Sequence, residues 1–582
     1  MSASNREIAD QFERMAAMLQ ITGANAFKVN ANAKVARTIR DQAIQVADLA
    51  ADTSALTELD GIGASSARKI VEYVQTGSIQ ELKDLESRVP PGLLQVLELP
   101  GLGPKTVQVL WEQASIESID DLKKAIDDGS LLSLPRMGQK TIDNIRDSIE
   151  FAASSAGRIR LGDAMPVAEW IVDELASTGA CRTIEIAGSL RRGQETIGDI
   201  DILVDTDEPA IVSDRFTSLD GIQKILAAGS TKCSIRLEEG IQVDLRIIPT
   251  ESFGAGLMYF TGSKEHNVLL RELAISSGLR LNEYGLFPAT EEDAPPQELG
   301  IEPVASGSEE AIYEALELPL IPPTMRLARG ETSLQKIPEL VRTSDIKSEL
   351  HAHTTASDGR LSIKELALEA KSRGYKVIAV TDHSVSSIPG NGLSPERLLK
   401  HIEEIRHVDQ EVDGIRILVG SEVDILSDGR LDYEDELLEQ LDVVVASPHV
   451  ALRQEPKVAT RRLLRAIEHP LVHIIGHPTG RLINSREGLS PDMPALVEAA
   501  IEHDTALEIN ANPHRLDLRD IHVRVASDAG CLVAINTDAH DASHLDYLEY
   551  GVMTSQRGWL ERSKCINTWT PARLLKWLAS KR

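Results

Sequence analysis

The chain has 582 residues, a formal net charge of −29 and 42% hydrophobic residues, of which few are aromatic. That length asks for about four domains. Four scattered cysteines (Cys181, Cys233, Cys531 and Cys565) argue against a disulfide framework or a cysteine zinc site. No signal peptide and no apolar run of membrane-spanning length are present, so a soluble cytoplasmic protein is expected. Charge and histidine divide the chain near residue 345. Residues 1–345 carry −21 and the remainder −8, while fourteen of the fifteen histidines follow residue 346 and only His266 precedes it. The Pro-rich run Leu318-Pro319-Leu320-Ile321-Pro322-Pro323 lies just before that boundary.

From the N-terminus, three segments share one pattern. They are Leu59-Asp60-Gly61-Ile62-Gly63 with Ala67-Arg68-Lys69-Ile70, Leu99-Pro100-Gly101-Leu102-Gly103-Pro104-Lys105-Thr106, and Leu134-Pro135-Arg136-Met137-Gly138-Gln139-Lys140-Thr141. Each reads as a helix end, a tight turn and a new helix. Glycine permits positive φ and close backbone approach, and the next helix start aims free N–H groups at a phosphate. The segments resemble helix-hairpin-helix motifs, which grip the DNA backbone without reading sequence. The resemblance implies DNA contact by Gly61, Gly63, Gly101, Gly103 and Lys105. In the third copy Arg136 replaces the first glycine, so that copy either grips phosphate differently or only packs.

Next come Gly188-Ser189-Leu190-Arg191-Arg192-Gly193 and Gly198-Asp199-Ile200-Asp201-Ile202. The first reads as a turn that offers N–H, hydroxyl and guanidinium donors to phosphate, Arg191 and Arg192 both adding charge. The second is a strand whose residues i and i+2 share a face, so Asp199 and Asp201 point together. Such like charges repel unless divalent cations lie between them. Ile241-Gln242-Val243-Asp244-Leu245-Arg246-Ile247 alternates in the same way and supplies a third carboxylate.

This combination resembles the nucleotidyltransferase superfamily, and within it the polymerase beta-like family X DNA polymerases. The resemblance implies that Asp199 and Asp201 bind two metals and Asp244 one of them, with Mg²⁺ or Mn²⁺ as the ions. It further implies nucleotide contacts from Arg158, Gly188, Ser189 and Arg192 to the triphosphate. Tyr259-Phe260-Thr261-Gly262-Ser263, Asn267 and Arg271 correspond to the segment beside the incoming sugar and base pair. The aromatic pair is expected on a turn, packing on deoxyribose. Asn267 and Arg271, four apart, share a helix face from which both reach the minor groove. Lys69 corresponds to a lysine that in this family can form a Schiff base with an abasic sugar, although an ordinary solvent-facing lysine is the alternative.

Beyond residue 346, seven apolar runs each close on metal-capable residues. They end at His351-Ala352-His353, Asp382-His383, Glu422, His449, His477, Glu508-Ile509-Asn510 and Asp538-Ala539-His540. Continuous apolar strands separated by helical stretches imply a parallel barrel with its polar residues at the C-terminal rim. The set resembles the PHP (polymerase and histidinol phosphatase) domain, a trinuclear phosphoesterase on a distorted seven-stranded barrel. The resemblance implies His351, His353, Asp358, His383, Glu422, His449, His477, Asp538 and His540 as ligands of up to three Mn²⁺, Zn²⁺ or Fe²⁺ ions. His473 shares the inward parity of His477 and reads as a core histidine, with a supporting place behind the ligands as the alternative, and His401, His407, His469, His503, His514, His522 and His544 read as surface or packing residues.

The sequence is therefore that of a multidomain α/β protein. The expected parts are a small helical DNA-end-binding domain (1–88), hairpin repeats (89–150), an α+β nucleotidyltransferase palm (151–249) and a nascent-base-pair subdomain (250–320). A linker (321–345) and a distorted (βα)7 PHP barrel (346–582) complete the chain. The resemblance implies a monomer that fills short gaps in gapped or nicked DNA with dNTPs, with 3′–5′ exonuclease and 3′-end processing in the barrel. Three readings compete: a non-polymerising DNA 3′-phosphodiesterase or abasic-site nuclease, a histidinol-phosphatase-like small-molecule phosphatase, and a DNA-binding scaffold with both sites dead.

Overall fold

A computed structural model of the chain describes residues 5–581 apart from 41–45, 52, 60, 100–101, 135–136, 140, 144, 147–148, 150–156, 239, 291–293 and 389. Gly101, Arg136 and Lys140 of the hairpin motifs lie outside the described residues. The chain divides into two compact units, Met1–Ala156 and Gly157–Arg582. Among the described residues no helix is long and apolar enough to cross a membrane.

The described regular elements of the first unit are all helical. Phe12, Met15, Met18, Ile70, Leu93 and Leu110 lie in one apolar core. The three repeats share one closing hydrogen bond. The amides of Ile62, Leu102 and Met137 donate to the carbonyls of Leu59, Leu99 and Leu134 at 3.0, 3.1 and 3.2 Å. All three donors are buried apolar residues, which plug the turn from below. The third repeat thus keeps the closing hydrogen bond and the buried apolar residue although its sequence departs from the other two.

In the second unit a five-stranded sheet comprises β1 (Cys181–Ile186), β2 (Asp199–Thr206), β3 (Ile222–Ala228), β4 (Lys232–Leu237) and β5 (Gln242–Ile247), in the order β1-β2-β5-β4-β3. Only the central β2–β5 pair is parallel. Period-2 alternation explains its two faces. Ile200, Ile202 and Val204 share a core with Leu161, Ala168 and Ile171 of helix Leu161–Ala176 and with Phe216 of helix Pro209–Thr217, leaving Asp199 and Asp201 on the opposite face.

Residues 253–342 form a small helical body. Helices Phe253–Thr261, Lys264–Ser276 and Glu309–Ala315 and the hairpin of Leu279–Asn282 with Gly285–Pro288 pack around Met258, Leu270, Leu286, Ile312 and Tyr313. Tyr259 and Phe260 lie in the last turn of a helix, not on a turn as expected. An apolar run, Phe253 to Met258, carries the helix through them. Its core also buries polar groups: Arg326 is fully buried, stacks 5.2 Å from the Tyr313 ring centroid, and pairs with Glu309.

The barrel strands are β6 (Ser348–Glu349), β7 (Val377–Val380), β8 (Arg416–Asp424), β9 (Val443–Ser447), β10 (Ile474–Ile475), β11 (Ala506–Asn510) and β12 (Val533–Asn536), all parallel and in sequential order. A parallel bridge between Ala352 and Ala539 links the first and last strand segments, so the sheet nearly closes on itself. Leu350, Ala379, Leu418, Val445, Ile474 and Ala534 form one core with Trp569 and Trp577 near the C-terminal helix. His473 is a core histidine, as expected: it accepts from the Val444 amide and its other ring nitrogen lies 3.1 Å from the Leu578 carbonyl.

His266 generates a pH prediction for the helical body. Its Nδ1 lies 2.7 Å from Glu331 and its Nε2 2.8 Å from the Tyr313 hydroxyl. Burial holds the imidazole below its ordinary pKa, against the opposing pull of Glu331. The folded state therefore favours neutral His266, donating to Glu331 and accepting from Tyr313. Stability from this group is present above the unfolded imidazole pKa of about 6.5 and lost as pH falls below it. Amide exchange in helix Lys264–Ser276, corrected for intrinsic rate, should accelerate at pH 5 relative to pH 7.5, and His266→Gln should abolish that difference.

Candidate active sites

β2 and β5 run in parallel with Asp201 in register with Asp244 and Asp199 with Gln242, so the three carboxylates gather at one place on the sheet. Burial, together with the neighbouring charges of Asp199 and Asp244, raises the Asp201 carboxyl to about 7. Asp244 is buried, 3.4 Å from Lys232 Nζ, and accepts from the Gln242 amide at 3.0 Å. Crowded carboxylates with so little cationic compensation are a cation-binding arrangement.

The phosphate turn folds directly over Asp201. Gly188 has φ +62°, and a Cβ there would collide with Asp201 Oδ2, so only glycine lets the backbone approach. The short helix Gly188–Arg191 follows. Ser189 Oγ and Arg192 Nε are buried without a partner among the described residues, which is what a turn built to hold an anion presents. Arg192 Nη1 donates to the Thr261 carbonyl, placing its guanidinium against Gly262. Arg158 donates to the hydroxyl and carbonyl of Thr196, with Nη1 beside Gly198. Arg191 departs from the phosphate role: it makes a bidentate pair with Glu309 at 3.0 and 2.8 Å and donates to Thr261 Oγ1 at 2.7 Å. Its charge is spent tying the turn to the helical body.

Tyr259 and Phe260 pack edge to face at 5.2 Å, with Arg246 of β5 4.4 Å over Phe260 and Arg271 5.8 Å over Tyr259. Asn267 and Arg271 separate rather than act together. Asn267 is buried and donates to the Tyr259 carbonyl at 2.7 Å, whereas Arg271 and Tyr259 line a cavity of about 390 Å³ with Arg280, Asn282 and Gln297.

In the first unit, Gly63 and Gly103 are N-caps of helices Ala64–Thr76 and Pro104–Ala114 that lack any side-chain cap. The space where a Cβ would stand is open at both. Gly61 has φ +86°. A helix start without a side-chain cap is where backbone amides can meet an anion. At Pro104–Ala114 the proline has no N–H and the Thr106 amide donates to the Gly103 carbonyl at 2.8 Å, and Lys105 is exposed beside that start. Lys69 is not solvent-facing. Its side chain is 13% exposed and its Nζ sits 2.7 Å from Glu81, which also holds Lys28.

At the barrel rim all nine expected ligands converge. Three groups have ligand atoms mutually within 4.8 Å: His353, Asp358, His383 and His540; His351, His353, Glu422 and Asp538; and His383, Glu422 and His449. His477 Nε2 joins them 2.9 Å from Glu422. Glu422 is the hub. Burial opposes its ionisation, yet His449, His351 and His383 around it hold its carboxyl well below the usual range. His351 Nε2, His353 Nε2, His383 Nδ1, Glu422 Oε2 and Asp538 Oδ1 are buried without hydrogen-bond partners. Imidazole and carboxylate atoms so left over fit a set of divalent ions.

Carboxylates behind these ligands aim them. Glu508 lies 2.8 Å from His351 Nδ1, Asp424 pairs with His449 Nδ1, and Asn510 donates to Asp538 at 3.0 Å. Asp382 accepts from Thr354 and Ser357 and pairs with His401 at 2.7 Å. The strand-end pattern signalled Glu508, Asn510 and Asp382 as polar; their supporting roles follow only from three dimensions. Arg515 lines the cavity of about 330 Å³ above the cluster, with Nε 3.9 Å from Asp538.

Comparison with known proteins agrees with these geometries. Family models match a helix-hairpin-helix domain at residues 3–79, a SAM-like helix-hairpin-helix tandem at 93–150, a DNA polymerase beta thumb at 256–327 and a PHP domain at 349–512. A DNA polymerase/3′-5′ exonuclease PolX of Bacillus subtilis (strain 168) is 37% identical over 566 residues, 97% of each chain. A probable phosphatase of Syntrophotalea carbinolica is 36% identical over 174 residues, 29% of this chain and 68% of its own. The probable phosphatase YcdX of Escherichia coli O127:H6 is 31% identical over 243 residues, 40% of this chain and 94% of its own.

Glu422 belongs to two of the three ligand groups and Asp358 to one. Glu422→Ala should therefore lower bound metal by more than Asp358→Ala. The check is elemental analysis of each dialysed protein after loading with Mn²⁺ or Zn²⁺.

Proposed function

Because the chain belongs to the family X DNA polymerases that carry a C-terminal PHP domain, we propose that it fills short gaps in DNA during repair and trims 3′ ends with its barrel. Its PolX relative, matched over 97% of both chains, is named for a polymerase and a 3′-5′ exonuclease. The observation that carries the reading is the completeness of both polar clusters in one chain: three carboxylates beneath a phosphate turn, and nine ligands at a barrel rim.

In the palm, Asp199, Asp201 and Asp244 would hold Mg²⁺ or Mn²⁺, which supplies a lowered pKa for the attacking 3′-hydroxyl and neutralises charge building on pyrophosphate. The Gly188–Ser189 turn and Arg192 would bind the triphosphate, with Arg158 bracing the strand edge next to Asp199. Ser189 Oγ and Arg192 Nε, left without partners, are the donors offered. Tyr259 and Phe260 would support the sugar from the helix end, and Arg271 would reach the template–primer from the open side of Tyr259. Asn267 would act by fixing the Tyr259 carbonyl.

In the barrel, the nine ligands would hold up to three Mn²⁺, Zn²⁺ or Fe²⁺ ions, which supply an activated water and stabilise charge on a phosphodiester. Glu508, Asp424 and Asn510 keep His351, His449 and Asp538 aimed at the centre. The hairpin glycines would anchor DNA through backbone amides. An attacking amine at Lys69 would first have to leave Glu81, which counts against a lyase role.

One assay separates this reading from an end-processing enzyme that never polymerises. On a single gapped duplex with Mn²⁺, wild type should both extend and degrade the primer. Asp199→Ala/Asp201→Ala should lose extension alone and His351→Ala/His353→Ala degradation alone. Losing the stabilisation these groups supply should lower each rate by about 10³-fold or more. Failure of wild type to extend with either Mn²⁺ or Mg²⁺ would remove polymerisation from the proposal. Turnover of a simple phosphomonoester without action on DNA ends would favour the phosphatase relatives.

A further inference from the structure

The segment between the phosphate turn and the first catalytic aspartate is held from the barrel. Glu195 lies between Arg192 and Asp199 in sequence. Its carboxylate receives Arg481 Nη2 at 2.7 Å on one oxygen and Arg519 Nη2 at 3.0 Å on the other. Two residues earlier, the Gly193 carbonyl accepts from Arg557 Nη1 at 2.8 Å, and Gly193 rests on Met553 with no room for a Cβ. Arg557 is itself buried and anchored 2.7 Å from Asp520. Asn484 donates to the Arg158 carbonyl at 3.0 Å. These contacts come from the barrel and its loops; within its own domain the segment pairs at Thr196–Ile197 with Ile159–Arg160, and the Glu195 carbonyl accepts from the Leu161 amide at 3.1 Å.

The holding loops are also the ones that carry metal ligands. Arg481 follows His477 by one turn of chain, and the amides of Thr479 and Gly480 both donate to Asp517 at 3.0 and 2.8 Å. Arg481 also donates to the Leu516 carbonyl at 2.6 Å. The Asn510 amide donates to the Asp517 carbonyl at 2.6 Å, and the Asn510 side chain donates to Asp538. Hydrogen bonds and short lengths of chain thus connect the rim ligands His477 and Asp538 with Glu195.

We propose that Glu195, Arg481 and Arg519 form a clasp by which the barrel positions the triphosphate-binding turn, making the three positioning residues for nucleotide addition. A half-buried carboxylate between two guanidiniums loses far more when one partner is removed than the intact pair gains over an apolar substitute. Removing Glu195 leaves Arg481, only 9% exposed in its side chain, with an uncompensated charge. The segment must then shift to let water reach it. Ser189, Arg192 and Asp199 sit at the two ends of that segment, and displacement of a fraction of an ångström weakens an oriented triphosphate site.

The proposal rests on the nucleotidyl-transfer reading of the palm. The test is single-nucleotide gap filling by the full-length protein, with the exonuclease on the same DNA as an internal control. Loss of one charge-assisted pair should raise the KM for the incoming dNTP about tenfold in Glu195→Gln and in Arg519→Met, with kcat within about twofold of wild type. KM does not depend on the fraction of protein that is folded. Exonuclease activity of Glu195→Gln should remain at the wild-type level. The double variant should be no worse than either single one, and Glu195→Asp should recover part of the loss. An unchanged KM, additive effects in the double variant, or an exonuclease falling in step with polymerisation would each overturn the clasp. If wild type does not extend a primer at all, the underlying reading fails before any variant is compared.

Discussion

Negative charge that must be neutralised on site is the constraint on which the rest of this structure depends. The palm brings three carboxylates together with Lys232 as the nearby lysine, and burial pushes Asp201 up to about 7. The barrel buries Glu422 and Asp538 among imidazoles that partly offset them. Neither arrangement would be favourable in a merely structural role, because taking a carboxylate out of water costs roughly several kcal/mol, which the few hydrogen bonds these groups receive offset only in part. Divalent ions resolve both. Around each cluster the folds supply short parallel strands whose ends bring ligands together: β2 against β5 in the palm, and seven successive strands in the barrel.

The same constraint explains how so acidic a chain can belong to a DNA-binding family. With a net charge of −29, attraction between the whole molecule and the phosphate backbone is not available. Contact has to come from groups that need no net charge. Uncapped helix starts at Gly63 and Gly103 are of that kind, since their amides carry a partial positive charge fixed by the backbone. Much of the basic side-chain inventory is otherwise engaged within the protein. Arg191 is tied to Glu309, Arg326 is buried against the same carboxylate, and Lys69 holds Glu81.

What was legible in the sequence were features with a strict period or a fixed local spacing. Asp199 and Asp201 had to share a face, and seven apolar runs ending in histidine or carboxylate had to converge at one rim. The nine barrel ligands meet there, and the hairpin turns recur even in the third copy. What escaped were partnerships between residues far apart in sequence. Arg191 has the motif of a phosphate ligand, but Glu309 lies 118 positions away and captures it. Asn267 and Arg271 share a helix face by spacing, yet the Tyr259 carbonyl lies within reach of only the first. Tyr259 and Phe260 were expected on a turn; the apolar run before them extends the helix to Thr261.

The barrel's relatives bear on how its chemistry is divided from its specificity. Proteins named as probable phosphatases match only 29% and 40% of this chain, whereas the polymerase/exonuclease match runs through 97% of it. A cluster of imidazoles and carboxylates that holds ions and activates water is indifferent to whether the phosphate it meets is a monoester or the end of a strand. Selection must come from what surrounds the rim. In this chain the loops after β10 and β11 carry ligand-side residues toward the barrel centre and, a few positions later, Arg481 and Arg519 toward the palm. Their presence ties the geometry of one site to the scaffold of the other, so a substitution in either loop must satisfy both the rim and the phosphate turn.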